Sequence, residues 1–129
     1  MNSFFDSNIL LYLVEMGPKT LPAQALLQKG GTVSVQVLNE FVHVCRRKYK
    51  MDLAVAAAFL APVKASLVIV DLTLATHERA MEIAAMTNFR IYDCCIVAAA
   101  ELAGCDVLYT EDMTHGQRIG RVTLRNPFA

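Results

Sequence analysis

Ser3-Phe4-Phe5-Asp6-Ser7-Asn8-Ile9-Leu10 opens the chain with a short apolar strand that runs into an acid and a helix start. Ser3-Phe4-Phe5 reads as the strand. Asp6-Ser7-Asn8 supplies capping residues for a helix through Ile9 to Val14, which Gly17 and Pro18 break. The same unit recurs. Thr32 to Val35 is a β-branched run followed by a helix over Gln36–Lys48, and Val68-Ile69-Val70 ends in Asp71 before a helix over Thr73–Met86. Val107-Leu108-Tyr109 leads into Thr110-Glu111-Asp112, and Val122-Thr123-Leu124 is a short last strand. Further helices are expected over Pro22–Lys29, ending at Gly30-Gly31, over Asp52–Ala65, and over Asp93–Ala103, which Gly104 closes. Strands alternating with helices predict a parallel sheet with helices on both faces. In such folds ligands bind beyond the carboxyl ends of the strands, and those ends are largely acidic here.

The chain has 129 residues, 55% hydrophobic and 19% charged, which suits one domain over residues 1–129 and excludes a disordered chain. Lys and Arg together number 12, as do Asp and Glu, so the formal net charge is zero. Binding of nucleic acid through general electrostatics requires a basic excess. Any such contact must therefore be local and chemically directed. The uncharged stretch Leu53–Val63 is far short of the ~20 residues of a membrane span and contains Pro62. The apolar start carries Asp6 and no basic leader, which predicts no signal peptide. Cys45, Cys94, Cys95 and Cys105 show no Cys-x-x-Cys or Cys/His zinc spacing, so free thiols and a cytoplasmic location are expected.

Four carboxylates stand at informative places. Asp6 follows the first strand, and Asn8 could hold it there. Asp93 opens a helix that is apolar almost all round, which places its carboxylate at the edge of the core. Asp112 follows the Val107-Leu108-Tyr109 strand, where Thr110 can orient a neighbouring carboxylate. Glu40 lies just outside the apolar arc of Val37, Leu38, Phe41, Val42, Val44 and Cys45, beside Arg47. Each has an ordinary structural explanation as a helix cap, a turn acid or a solvated helix flank. Brought together on one rim they would repel one another, and a hard divalent cation such as Mg²⁺ or Mn²⁺ would relieve that. Such a site suits metal-assisted attack of water on a phosphodiester.

These segments resemble the PIN-domain ribonucleases, and most closely the toxin component of VapBC toxin–antitoxin pairs. The resemblance rests on Phe4-Phe5-Asp6-Ser7-Asn8-Ile9-Leu10, on Ser34 to Phe41 around Asn39-Glu40, on Tyr92-Asp93-Cys94-Cys95-Ile96-Val97-Ala98-Ala99-Ala100 and on Val107-Leu108-Tyr109-Thr110-Glu111-Asp112-Met113. It covers the chain from end to end. It implies a three-layer α/β/α fold with a five-stranded parallel sheet and a Mg²⁺- or Mn²⁺-dependent endoribonuclease. Asp6 and Asp93 would be the principal metal ligands, Glu40 and Asp112 would complete the catalytic cluster, and Asn8 and Thr110 would support it. The resemblance further implies an RNA substrate, a cognate antitoxin and a homodimer.

Arg46, Arg47, Lys48 and Lys50 form a basic run in which Arg47 is a candidate for RNA contact, as is His115 beyond Asp112. His43 and His77 form no His-Glu-x-x-His motif. The apolar excess suggests a concealed surface, either a homodimer face or a groove for an antitoxin helix. Two alternatives stand beside the nuclease: an inactive PIN-like interaction module, and a phospho-accepting receiver domain with Asp71 as acceptor. The receiver reading is weakened because a single acid follows the first strand and no lysine follows Lys64.

Overall fold

Phe4 and Phe5 are both fully buried although adjacent strand residues point to opposite faces. A strand buried on both faces belongs in the middle of a sheet that is covered on both sides. The computed structural model, which describes residues 2–129, places β1 (Ser3–Phe5) there. The other strands are β2 (Thr32–Ser34), β3 (Val68–Val70), β4 (Val107–Tyr109), β5 (Arg118–Ile119) and β6 (Val122–Arg125). Their order across the sheet is β3-β2-β1-β4-β6-β5. Phe4 pairs with Thr32 on one side and Leu108 on the other, Val33 with Ile69, and Leu108 with Leu124, all in parallel.

Five strands are parallel, as expected. β5 is an additional strand, antiparallel to β6, with Ile119 opposite Val122. Two residues carry no alternation for a sequence reading to detect, so β5 is visible only through its pairing.

The helices are α1 (Ser7–Glu15), α2 (Thr20–Gln28), α3 (Val35–Arg47), α4 (Leu53–Ser66), α5 (Leu74–Met86) and α6 (Ile91–Leu102). From β1 to β2 to β3 the chain steps in one direction across the sheet, so right-handed crossovers place α1 to α4 on one face. The connection from β3 back to β4 reverses direction and carries α5 and α6 to the other face. α6 packs on α5 and against β2, β4 and β6, and buries Cys94 and Ile96 through Ala100.

Two helix starts differ from expectation. α2 begins at Thr20, which leaves Pro22 within the first turn, where a missing N–H costs little. α6 begins at Ile91 with Arg90 as an extended N-cap that makes no side-chain capping bond. Asp93 is therefore the third residue of the helix, not its first. The exposed Ile91 and Tyr92 hide this opening turn from an apolar-periodicity reading. Among the described residues no single helix is long and apolar enough to cross a membrane.

Gly31 sets the approach of β2 to β1. A Cβ there would lie 2.5 Å from Phe5 Cε2 and 2.8 Å from the Ser3 carbonyl oxygen, at φ +154°. Gly31→Ala is expected to cost about 2 kcal/mol or more in urea unfolding. Gly17→Ala, where an added Cβ meets nothing within 4 Å, should stay within about 0.5 kcal/mol of the parent.

Candidate active site

β1 and β4 lie side by side at the point where the sheet's winding reverses, so their carboxyl ends flank a natural crevice. Asp6 follows β1 directly. Its N–H donates to the Tyr109 carbonyl at 3.0 Å, and its extended backbone makes it the N-cap of α1. Only 2% of Asp6 is exposed. Its Oδ1 accepts the Ser7 N–H at 2.6 Å and its Oδ2 accepts the Thr110 hydroxyl at 2.7 Å. Thr110 in turn accepts the Asp112 N–H at 3.1 Å, so one hydroxyl fixes the carboxylate after β1 and the loop after β4.

Asn8 does not hold Asp6. Its amide donates to Asp112 Oδ2 at 3.0 Å, because Asp6 is already occupied by Ser7 and Thr110 while Asn8 faces the loop after β4. The Asn8 Oδ1 atom is buried without a hydrogen-bond partner.

Glu40, on α3, accepts the Ser7 hydroxyl at 3.0 Å on one oxygen and the Gln36 amide at 3.1 Å on the other. The Gln36 amide also donates to the Tyr92 carbonyl at 2.8 Å, which ties α3 to the start of α6. Asp93 is half-buried, with Arg90 Nε 3.7 Å from its Oδ2. All four carboxylates, Asp6, Glu40, Asp93 and Asp112, line one cleft of about 850 Å³ together with Gln36, Asn39, His43, Leu72, Arg90 and Tyr92.

Several side chains fall elsewhere. Glu111, next to Asp112, turns away to pair with Lys19 at 2.5 Å. Burial pushes its carboxyl up, but hydrogen bonds from Lys19 and Tyr12 outweigh that and hold it below the usual range. Arg47 is exposed near the end of α3 and does not line the cleft, because it lies nearly two turns beyond Glu40; His43, one turn from Glu40, lines it instead. His115 also lies outside the lining, where its Nδ1 accepts the Asn126 N–H at 2.9 Å. Asp71 follows β3 and lines a separate hollow.

Ser7 and Gln36 are positioning groups that the sequence reading missed. Ser7 looks like an ordinary first-turn helix residue. Gln36 stands four residues before Glu40 on the same helix, and that spacing was a usable signal.

Burial pushes the Asp6 carboxyl up from 3.8 to about 7; the charges of Glu40 and Asp112 add to this, and the Thr110 and Ser7 hydrogen bonds oppose it. Asp93 is also raised, first by burial and then by Asp112, with Arg90 opposing. Beside the His43 imidazole, the cleft offers four carboxylates as oxygen donors. Oxygen donors are what hard divalent cations prefer. As placed, no three acidic, histidine or cysteine side chains among the described residues are close enough together to hold one ion.

The family model of the PIN domain matches residues 3–117. The chain belongs to the PIN domain family. No curated protein matches it by sequence. Among solved structures, a VapBC complex from Salmonella typhimurium bound to DNA shares 16% identity at a TM-score of 0.75, covering 98% of each chain. A toxin–antitoxin complex from Klebsiella pneumoniae shares 21% at 0.72, again over 98% of each chain. A sarcin–ricin-loop-cleaving VapC toxin from Mycobacterium tuberculosis shares 20% at 0.71, covering 86% of this chain and 90% of its own. At these identities the likeness is one of fold. Membership of the PIN family sets aside the receiver alternative built on Asp71.

Folding raises the pKa of Asp6, so the cost of ionising it is absent below about pH 4, grows as pH rises, and is complete above about 7. Full ionisation costs on the order of 4 kcal/mol. In the metal-free protein, Asp6→Asn should therefore raise the melting temperature at pH 8 by several degrees and flatten its decline between pH 4 and 7. Thermal melts across pH in chelator check this.

Proposed function

We propose that this PIN-domain protein is a divalent-metal-dependent endoribonuclease that acts as the toxin of a type II toxin–antitoxin pair in the cytoplasm. The observation that carries this reading is the meeting of Asp6, Glu40, Asp93 and Asp112 in one cleft at the switch point of the sheet. Mg²⁺ or Mn²⁺ in that cleft would supply charge neutralisation for the scissile phosphate and a water of lowered pKa.

The protein's own part is to hold the carboxylates ready. Thr110 and the Ser7 N–H aim the two oxygens of Asp6, while the Ser7 hydroxyl and Gln36 aim those of Glu40. Asn8 restrains Asp112. Asp6 and Asp93 are the proposed principal metal ligands, and Glu40 and Asp112 complete the set directly or through water. Burial of Asp6 excludes competing solvent, and a cation beside it would favour its ionised form.

The antitoxin partner is supported by the solved complexes of similar fold, which are toxin–antitoxin assemblies. It is also supported by an apolar hollow of about 550 Å³ between α1–α2 and α4, lined by Leu13, Leu27, Phe59, Val63 and Leu67. An amphipathic helix of the antitoxin would cover it. The proposed homodimer has support in exposed apolar side chains on α5 and α6, namely Met81, Met86 and Leu102.

The test is incubation of the purified chain, free of any partner, with total cellular RNA in Mg²⁺, in Mn²⁺ and in chelator. Discrete fragments should appear only with metal. Asp6→Asn should lower the cleavage rate at least about a hundredfold, and Mg²⁺ should raise the melting temperature of wild type but not of this variant. Asp71→Asn should cleave like wild type. Cleavage that survives both chelator and Asp6→Asn would remove the assignment of the site.

A further inference from the structure

Of the four tyrosines and six phenylalanines in the chain, Tyr92 alone is exposed. It is 68% exposed and sits at the lip of the acidic cleft, where it is the only Phe or Tyr in the lining. Every other ring is buried or partly buried. The rest of α6 explains nothing about this ring, since the helix buries Cys94 and Ile96 through Ala100 on its other sides.

The ring is exposed but its backbone is not loose. The Tyr92 carbonyl accepts the Gln36 amide that also holds Glu40. One amide thus fixes the base of the ring relative to a proposed catalytic carboxylate. Beside it, the exposed Arg90 side chain brings a cation to the same lip, and Leu72 adds half-exposed apolar surface.

The cleft floor is acidic and the chain has no net charge. A polyanion gains little here from a general field, so its binding must come from contacts that do not depend on charge. Stacking of nucleobases on an aromatic ring is such a contact, and it tolerates any base because every base has a π-face.

We infer that Tyr92 is a base-stacking platform, which seats an unpaired nucleobase next to the phosphate delivered into the cleft while Arg90 faces the backbone. This rests on the ribonuclease reading. Tyr92 is a positioning residue for RNA: it touches the base and does no chemistry.

The chain contains no tryptophan, so Tyr92→Trp places a single tryptophan at the lip, excitable apart from the remaining tyrosines. Titration of that variant with single-stranded oligoadenylate in chelator should quench its emission saturably, and an abasic oligomer of equal length should not. On cellular RNA with Mg²⁺, Tyr92→Ala should raise KM by about 5- to 150-fold with a much smaller change in kcat, and Tyr92→Phe should restore it. Wild-type cleavage with an unchanged KM in Tyr92→Ala would overturn the platform and leave the nuclease standing. Quenching without any wild-type cleavage would keep the platform and sink the nuclease. A changed oligomeric state of Tyr92→Ala in light scattering, with KM unaltered, would make the ring a protein contact and overturn the proposal.

Discussion

Burying a carboxylate at the end of the central strand is the constraint around which this molecule is arranged. Asp6 is removed from water by the same packing that buries Phe4 and Phe5, and a buried charge is tolerable only when its lone pairs are occupied and a counter-charge is at hand. The hydrogen bonds follow from that demand. A chain of polar groups runs from the Asp112 N–H through Thr110 to Asp6, and from Ser7 through Glu40 and Gln36 to the Tyr92 carbonyl. It joins the carboxyl ends of β1 and β4 to α3 and to the first turn of α6. The sheet brings these ends together, and the polar chain fixes their mutual placement.

Such a network is a poor stabiliser of the folded state. Asp6 is held with its carboxyl pushed up to about 7, so the fold works against ionisation of its own central acid. Packing elsewhere must offset this, and the core that flanks both faces of β1 supplies it through Phe41, Ile83, Ile96, Leu108 and Leu124.

Much of the fold was legible because its signals are local. Three-residue β-branched or aromatic runs ending in small polar or acidic residues marked β1 to β4, and Gly17, Gly30 and Gly104 marked helix ends. Asp6 and Asp112 stood out as acids just past strands, which a parallel sheet ends on one rim, and Glu40 and Asp93 by their places at the flank and near the start of apolar helices. What escaped depended on long-range partners. β5 exists only by pairing with β6, the start of α6 is masked by exposed apolar residues, and the bond from Asn8 goes to a residue 104 positions away. Ser7 and Gln36 were missed for a related reason: a hydroxyl in a first helical turn and an amide on a helix flank gain meaning only when another element supplies the carboxylate they orient.

The borders of the sheet carry a different consequence. A parallel sheet cannot close on itself at this size and leaves two margins with unpaired backbone groups, which are sites for uncontrolled association. Here one margin is β3, three residues long, and the other is β5, two residues long. Each offers too few free N–H and C=O groups to template another strand. Growth by strand addition is therefore disfavoured, and specific assembly of this protein with itself or with a partner is left to the faces of its helices.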